Sequence, residues 1–162
     1  MLTTVIAILY VDKWGRKPIL YFGLVTTSVS LLLLGLLFHM GIHTLLSKHL
    51  AVFFVLTFIF GFAVSLGPIM WLICAEIYPT QGRDLGMAVA VSSNWIFNAV
   101  VGGTFLTLLD VCGPSKTFAL FGICGVISLF IIKMFTPETK DVSLEHIEKN
   151  LLAGARCREL GR

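Results

Sequence analysis

Charged side chains are scarce in this sequence, since only 13% of its 162 residues are Asp, Glu, Lys or Arg. A soluble domain has about 25% charged and about 45–50% apolar residues. Here 57% of the residues are hydrophobic and the mean hydropathy is +0.93. The shortage of charge excludes an ordinary soluble domain. The sequence predicts an integral membrane protein with the lipid bilayer as a partner.

Several patterns that carry chemistry are also missing. The four cysteines include no C-x-x-C pair, so we expect neither a disulfide nor a metal site from them. His39 and His43 are four residues apart, but no carboxylate lies near them in the sequence. No phosphate-binding loop, nucleic-acid-binding patch or nucleophile–base pair is visible. The sequence therefore predicts no enzyme, no cofactor, no metal and no nucleic-acid partner.

Long uncharged segments are present instead, and a transmembrane helix needs about 20 apolar residues. We expect spans at about 18–39, 51–78, 85–109 and 114–136, with a partial span at 1–11. The partial span has no basic n-region and no small-residue cleavage site, so it is not a signal peptide. We interpret it as the end of a helix that begins upstream, and an interfacial segment is the alternative.

The basic residues indicate an orientation. If the loop at 12–17 is cytoplasmic, ten of the twelve Lys and Arg residues lie on that side, and only Lys48 and Lys116 lie outside. Cytoplasmic loops carry an excess of Lys and Arg. The C-terminus is therefore expected in the cytoplasm.

Residues 137–162 are more polar and form the predicted cytoplasmic tail. Ser143 is a suitable helix N-cap, and Glu145 is favourable in the first turn. We expect an amphipathic helix here that either lies on its own protein or recruits a partner. Its apolar stripe consists of Leu144, Ile147, Leu151 and Leu152.

A helix breaker lies inside the second full span, in the stretch SLGPIMWLICAEIYP at 65–79. Pro68 lacks an N–H and clashes with the carbonyl of Val64. In lipid, such a break is tolerated only where protein or a water-filled cavity satisfies the backbone. Pro68 lies about 15 Å from the cytoplasmic end, near the midplane. Transporters use broken helices at that depth, and a simple proline kink is the alternative.

Small and polar side chains near this break are candidates for ligand binding. Gly61 and Ser65 have the small-x-x-x-small spacing that allows two helices to approach closely. Trp71 lies one turn from Gly67 on the same helix face. An indole offers a flat ring and one N–H donor, which suits a sugar, although a single Trp also serves as packing.

Two amides in the next span point the same way. Asn94 and Asn98 are four residues apart and share a helix face at membrane depth. Polar groups at that depth face the bundle interior. Uncharged amides suit a neutral, hydroxyl-rich solute better than an ion, and interhelical hydrogen bonding is the alternative.

Four charged residues lie at the predicted cytoplasmic mouth. Asp12 and Arg16 belong to one loop, and Glu76 and Arg83 border another. Glu76 is placed to pair with Arg83 or Arg16, and such pairs can hold a bundle shut. Solvated loop charges are the alternative.

These motifs together resemble a known family. DKWGRKP (12–18) resembles the D-x-x-G-R-[RK] loop of the sugar porters of the major facilitator superfamily, and GPIMWLICAEIYPTQGR (67–83) resembles their G-P-x-x-W…E-x-x-P-x-x-x-R stretch. NWIFN (94–98) and PETK (137–140) match as well. The stretches CAEIYPTQGRDLGM and VSLEHIEKNL are most similar to bacterial galactose–proton and arabinose–proton symporters.

The resemblance implies an all-α membrane protein, the C-terminal part of a twelve-helix bundle from the end of helix 8 to helix 12. It implies sugar–proton symport of galactose or a related monosaccharide by alternating access in the bacterial inner membrane, with the proton as coupling ion. The implied sugar-site residues are Gly67, Trp71, Asn94 and Trp95. We add Asn98, because it shares a helix face with Asn94. The implied network that closes the inward gate consists of Asp12, Arg16, Glu76 and Arg83.

The sequence also departs from the family pattern. Facilitative glucose carriers of the family have a sugar-contacting glutamate where Ala63 stands here. The family's proton-carrying aspartate and paired glutamines belong to helices that this sequence does not contain. We therefore expect no transport without the missing N-terminal half. The alternative is a truncated, non-transporting membrane protein or a half that needs another chain.

Overall fold

A computed structural model describes residues 15–79 and 82–136. Within these ranges the chain forms four helices and no strand: α1 (Arg16–Met40), α2 (Leu45–Val64), α3 (Ile69–Ile77) and α4 (Arg83–Phe135). The prediction of an all-α membrane protein is confirmed. The partial span at 1–11, Asp12 and the amphipathic tail helix lie outside the described residues.

The helices are long and apolar enough to cross a membrane. Three helical stretches meet this criterion in the described part of the chain, at Arg16–Met40, Leu45–Ile77 and Arg83–Phe135. The second begins six residues before the predicted span, because Thr44 caps α2 and exchanges hydrogen bonds with Ser47 in a capping box.

Helix α4 consists of two helical halves. Its 53 residues would extend about 80 Å as one rod, whereas the hydrocarbon core is about 30 Å thick. Gly113 divides it with φ 80° and ψ 159°, a conformation that favours glycine. Pro114 follows, at the first helical position where its missing N–H is harmless. The predicted spans at 85–109 and 114–136 leave four residues between them, whereas the structure has one residue between an N-terminal half (83–112) and a C-terminal half (114–135).

Helix α1 lies at the centre and packs antiparallel against α2 and against the C-terminal half of α4. A Cβ at Gly23 would overlap the Ser65 hydroxyl and lie 2.6 Å from the Gly61 carbonyl oxygen. A Cβ at Gly35 would lie 2.9 Å from the backbone nitrogen of Ala119. Close backbone approach between helices therefore occurs at Gly61 and Ser65, as their spacing predicts.

The buried core lies toward the end of the bundle where α1 begins, which we call the Arg16 end. The N-terminal half of α4 stands apart from this core, because every residue from 92 to 104 is exposed. It is held mainly near its ends, where Gly86 approaches Tyr78 and Phe105 contacts Phe118. Two cavities separate it from α2 and α3. The core side chains are Ile19, Leu20, Leu24, Ile69, Ile73 and Ile132.

Candidate functional site

The helix that begins at Leu45 is interrupted at residues 65–68, where the sequence predicts a break. The N–H groups of Ser65 and Gly67 both donate to the Phe62 carbonyl, at 3.3 and 3.0 Å. The N–H of Ile69 donates to the Ser65 carbonyl at 3.0 Å. The segment thus satisfies these backbone groups with local bonds of irregular spacing, as a membrane interior requires, and Pro68 is the N-cap of α3.

A cavity of about 520 Å³ lies beside this break, between the α2–α3 segment and the N-terminal half of α4. This volume is within the usual range for small-ligand sites, about 300–1,000 Å³. Four predicted substrate-binding residues line it: Gly67, Trp71, Asn94 and Asn98. We call it the amide cavity. The other lining residues are Phe62, Leu66, Met70, Cys74 and Ala90.

The polar groups of the amide cavity come from facing elements. Trp71 belongs to α3, whereas Asn94 and Asn98 belong to α4. The Asn98 side-chain nitrogen donates to the backbone carbonyl of Asn94 at 2.9 Å, which ties the Asn98 amide to its own helix. An aromatic face and two neutral amides in one cavity are chemically suited to a neutral solute, through stacking and hydrogen bonds.

Trp95 is not among the residues that line the amide cavity. Trp95 is 68% exposed, and Asn94 and Asn98 are exposed as well, so exposure does not distinguish it. Successive helix residues are rotated by about 100°, and Asn94 takes the cavity side. The sugar-site role that the resemblance implies for Trp95 stays a prediction.

An ion pair joins α1 to α3 at the Arg16 end. The Nη2 atom of Arg16 lies 3.1 Å from Oε1 of Glu76, and the two side chains are only 16% and 15% exposed. The Nε atom of Arg83 donates instead to the Tyr78 carbonyl at 3.4 Å. Of the two partners that the sequence leaves open for Glu76, the structure shows a bond to Arg16. Asp12 lies outside the described residues.

A neighbouring contact is not evident from the sequence. The Nζ atom of Lys17 donates to the backbone carbonyl of Thr136 at 2.7 Å, at the end of α4. A cation is favourable at a helix C-terminus. The sequence places Lys17 and the end of the last span on the same predicted side of the membrane, the cytoplasmic side. Which backbone carbonyl Lys17 contacts depends on the packing of α1 against α4, which the sequence does not show.

The sequence analysis did not identify Met70 and Cys74 as lining residues of the amide cavity, although their spacing from Gly67 indicates this position. Met70 and Cys74 lie three and seven residues after Gly67, so they share its helix face. Among the described residues, no group of three or more His, Cys, Asp and Glu side chains is arranged to hold a metal.

The sequence is similar to characterised sugar transporters. The galactose–proton symporter of Escherichia coli K12 is 44% identical over 161 residues, which cover 99% of this chain and 35% of that protein. The arabinose–proton symporter of the same strain is 39% identical over 164 residues, with the same coverage of both chains. This chain therefore spans about a third of the length of these relatives.

Solved structures agree with this similarity. An inward-open structure of the xylose transporter of E. coli matches 93% of this chain and 33% of its own, with a TM-score of 0.82 and 31% identity. The relatives are transporters, which confirms the prediction that the chain is not an enzyme. The profile of the family described as "Sugar (and other) transporter" matches residues 1–151, and the chain belongs to this family of integral membrane proteins.

Proposed function

We propose that this chain is the C-terminal part, from the end of helix 8 to helix 12, of a bacterial inner-membrane symporter for protons and galactose or a related monosaccharide. The observation that carries the proposal is the amide cavity, where Trp71 faces Asn94 and Asn98 beside a helix break. The galactose–proton and arabinose–proton symporters that it resembles support the substrate class.

The amide cavity forms one wall of the sugar-binding site. The Trp71 indole stacks on the C–H face of the pyranose ring, and the amides of Asn94 and Asn98 exchange hydrogen bonds with its hydroxyls. Gly67 has no side chain, so the sugar can approach the interrupted backbone. The opposite wall comes from the other half of the transporter, and the two halves rock around the bound sugar to alternate access.

The Arg16–Glu76 pair closes the cytoplasmic side in this mechanism. It joins the start of α1 to the last turn of α3, the helix that carries Trp71. Separation of the pair frees α3 to move when the transporter opens inward. Arg83 and Asp12 belong to the same cytoplasmic network, and the excess of Lys and Arg on this side supports the orientation, with the C-terminus in the cytoplasm.

The proton is bound elsewhere in the symporter. The carboxylates of the described residues are Glu76, Asp84 and Asp110, and each lies within a few residues of a helix end or break. Ionisable side chains inside transmembrane segments form the proton relays of transporters, so we place the carrier away from these helix ends. Coupling follows if protonation there favours the conformation that binds sugar more tightly.

Transport requires the remainder of the symporter, because the described helices form one wall of the proposed site. The alternatives are a truncated membrane protein without transport activity and a half that functions with a separate chain. Both give the same result for the isolated chain, so the test must supply the remaining helices.

A chimaera tests the proposal. This chain replaces the matching 161-residue segment of the E. coli galactose–proton symporter, and galactose uptake is measured in proteoliposomes with and without an inward proton gradient. We expect uptake that the gradient stimulates, and none from the 162-residue chain alone. A chimaera that inserts normally but takes up no monosaccharide contradicts the proposal, as does uptake by the isolated chain.

A further inference from the structure

A second cavity, of about 460 Å³, lies between α1, α2 and both halves of α4. All of its lining side chains are hydrocarbon, and half of them are phenylalanines. We call it the phenylalanine cavity. Its lining residues are Leu31, Leu34, Val55, Phe58, Val101, Phe105, Phe118 and Phe121.

The two cavities follow one another along the same helices. On α2, Phe58 lines the phenylalanine cavity and Phe62, one turn later, lines the amide cavity. On α4, Val101 and Asn98 line the two cavities in the same order, separated by a rise of about 4.5 Å. The two cavities therefore lie about one helical turn apart, a distance within the length of a small glycoside.

The phenylalanine cavity offers no hydrogen-bonding side chain among its lining residues. The nearby hydroxyls of Thr57 and Thr104 donate to the carbonyls of Phe53 and Val100, at 2.8 and 2.7 Å. A sugar hydroxyl buried there would lose its hydrogen bonds to water without replacement. The cavity consequently suits an apolar group.

Aromatic contacts hold the wall of this cavity in place. Phe118 stacks on Phe38 with a centroid distance of 5.4 Å and meets Phe105 edge-on at 6.3 Å. Phe105 also contacts Phe121 at 6.0 Å. The cavity is thus preformed, and an apolar occupant does not need to reorder these rings.

We propose that the phenylalanine cavity is a subsite for the apolar aglycone of a glycoside whose sugar ring occupies the amide cavity. The inference rests on the proposed function, because it uses the amide cavity as the sugar site. Alkyl and aryl glycosides are then ligands, with the sugar and the aglycone bound one turn apart along α2 and α4. The adjacency of the two cavities along α2 and α4 favours this occupant over a separate lipid acyl chain.

A chain-length series provides the first test. Methyl, butyl and hexyl β-galactosides compete with galactose uptake by the chimaera described above. The inhibition constant should fall by about fourfold for each added methylene until the cavity is full. Equal inhibition constants across the series, with galactose uptake intact, overturn the aglycone subsite and leave the proposed function standing.

A cavity-filling variant locates the effect. Val101→Trp places an indole in the phenylalanine cavity and should remove the dependence on chain length. The matched control Ile96→Trp adds the same side chain at an exposed position of the same helix, where Ile96 is 63% exposed. The control should keep the full series. A series that persists in Val101→Trp contradicts the assignment.

Photolabelling tests the inference without uptake or a substitution. The 162-residue chain in phospholipid nanodiscs is irradiated with a hexyl β-galactoside that carries a diazirine at the end of its alkyl chain. We expect label on the lining residues of the phenylalanine cavity that excess hexyl β-galactoside displaces. Equal labelling by a hexyl diazirine without the sugar identifies a lipid-chain site and overturns the inference, as does the absence of label there.

This arm also separates the two proposals. A chimaera without uptake, combined with label that depends on the sugar, refutes only the proposed transport. Uptake without label at the phenylalanine cavity refutes only the aglycone subsite.

Discussion

The guanidinium of Arg16 lies 3.1 Å from the carboxylate of Glu76, although 60 residues separate them in the sequence. The pair connects the first turn of α1 to the last turn of the short helix that carries Trp71. Both side chains are largely shielded from water. Removal of one partner from an ion pair in such surroundings costs more stability than removal of one partner from a surface pair.

Removal of one partner should destabilise the chain. Arg16→Gln leaves the Glu76 carboxylate shielded without this cation, so the free energy of unfolding should fall by about 1–3 kcal/mol, between the values for exposed and buried pairs. Unfolding of the 162-residue chain in mixed detergent micelles measures the change. Lys116→Gln removes an exposed cation after the Gly113 break and should alter stability by less than about 0.5 kcal/mol.

A double variant separates the pair from other effects of Arg16. Arg16→Gln combined with Glu76→Gln should be more stable than the sum of the single changes predicts, because both single changes remove the same ion pair. Additive single changes would show that the two groups do not interact in the folded chain.

Several features of the fold were accessible from the sequence because they depend on local chemistry. Long uncharged segments predict the helices, and Pro68 predicts the break, since its missing N–H acts wherever it lies in a helix. The close contact of Gly61 and Ser65 with α1 also follows from side-chain size. The last two predicted spans leave residues 110–113 between them, whereas the structure has a break at Gly113 alone. One glycine with positive φ allows the two helices to meet directly.

Other features depend on the relative placement of helices, which one sequence does not contain. Asn94 and Trp95 are adjacent, and only the position of α3 decides which of them lines the cavity. Glu76 has two basic residues within reach by sequence, and the packing of α1 against α3 selects Arg16. The phenylalanine cavity uses residues from 31 to 121, so no local pattern marks it.

The amide cavity predicts unequal roles for two tryptophans. In the chimaera, Trp71→Ala should lower galactose uptake by at least tenfold, because it removes the stacking surface of the cavity. Trp95→Ala should have a much smaller effect, since Trp95 is outside the lining. Uptake is compared at equal amounts of inserted protein. Equal losses in both variants would return Trp95 to the sugar site.

The Asn94 amide is tested with a conservative change. Asn94→Asp keeps the size of the side chain but replaces the N–H₂ donor with a carboxylate, whereas Asn94→Ala removes both polar atoms. Both changes should raise the KM for galactose by about tenfold or more, since a site built for hydrogen bonds discriminates strongly when one is lost. Full uptake by Asn94→Ala would exclude this residue from sugar binding.

Two glycines should respond oppositely to alanine. Gly23→Ala places a methyl group against Ser65 and 2.6 Å from the Gly61 carbonyl oxygen, so α1 and α2 must separate. The expected loss in unfolding free energy is about 1–3 kcal/mol. At Gly102 nothing lies within 4 Å of the added carbon, and alanine should stabilise the helix by about 0.5–1 kcal/mol. Unfolding of the isolated chain in detergent measures both.

The result at Gly23 tests the antiparallel packing of α1 on α2. A Gly23→Ala variant as stable as Gly102→Ala would show that the two helices do not approach each other as described. Gly23→Leu should be more damaging than Gly23→Ala, because its side chain cannot fit between two helix backbones.

The helix break itself predicts a separation of stability from activity. Pro68→Ala restores an N–H that can donate to the Val64 carbonyl and removes the clash of the proline ring, so α2 and α3 can join as one helix. The unfolding free energy should stay constant or rise, while galactose uptake by the chimaera should fall by at least tenfold because the cavity beside Gly67 closes. Pro114→Ala is the matched control, since Pro114 starts a helical half where no intrahelical bond is missing. Normal uptake by Pro68→Ala would mean that the interruption at 65–68 is only a kink, and that the sugar does not need the space it creates.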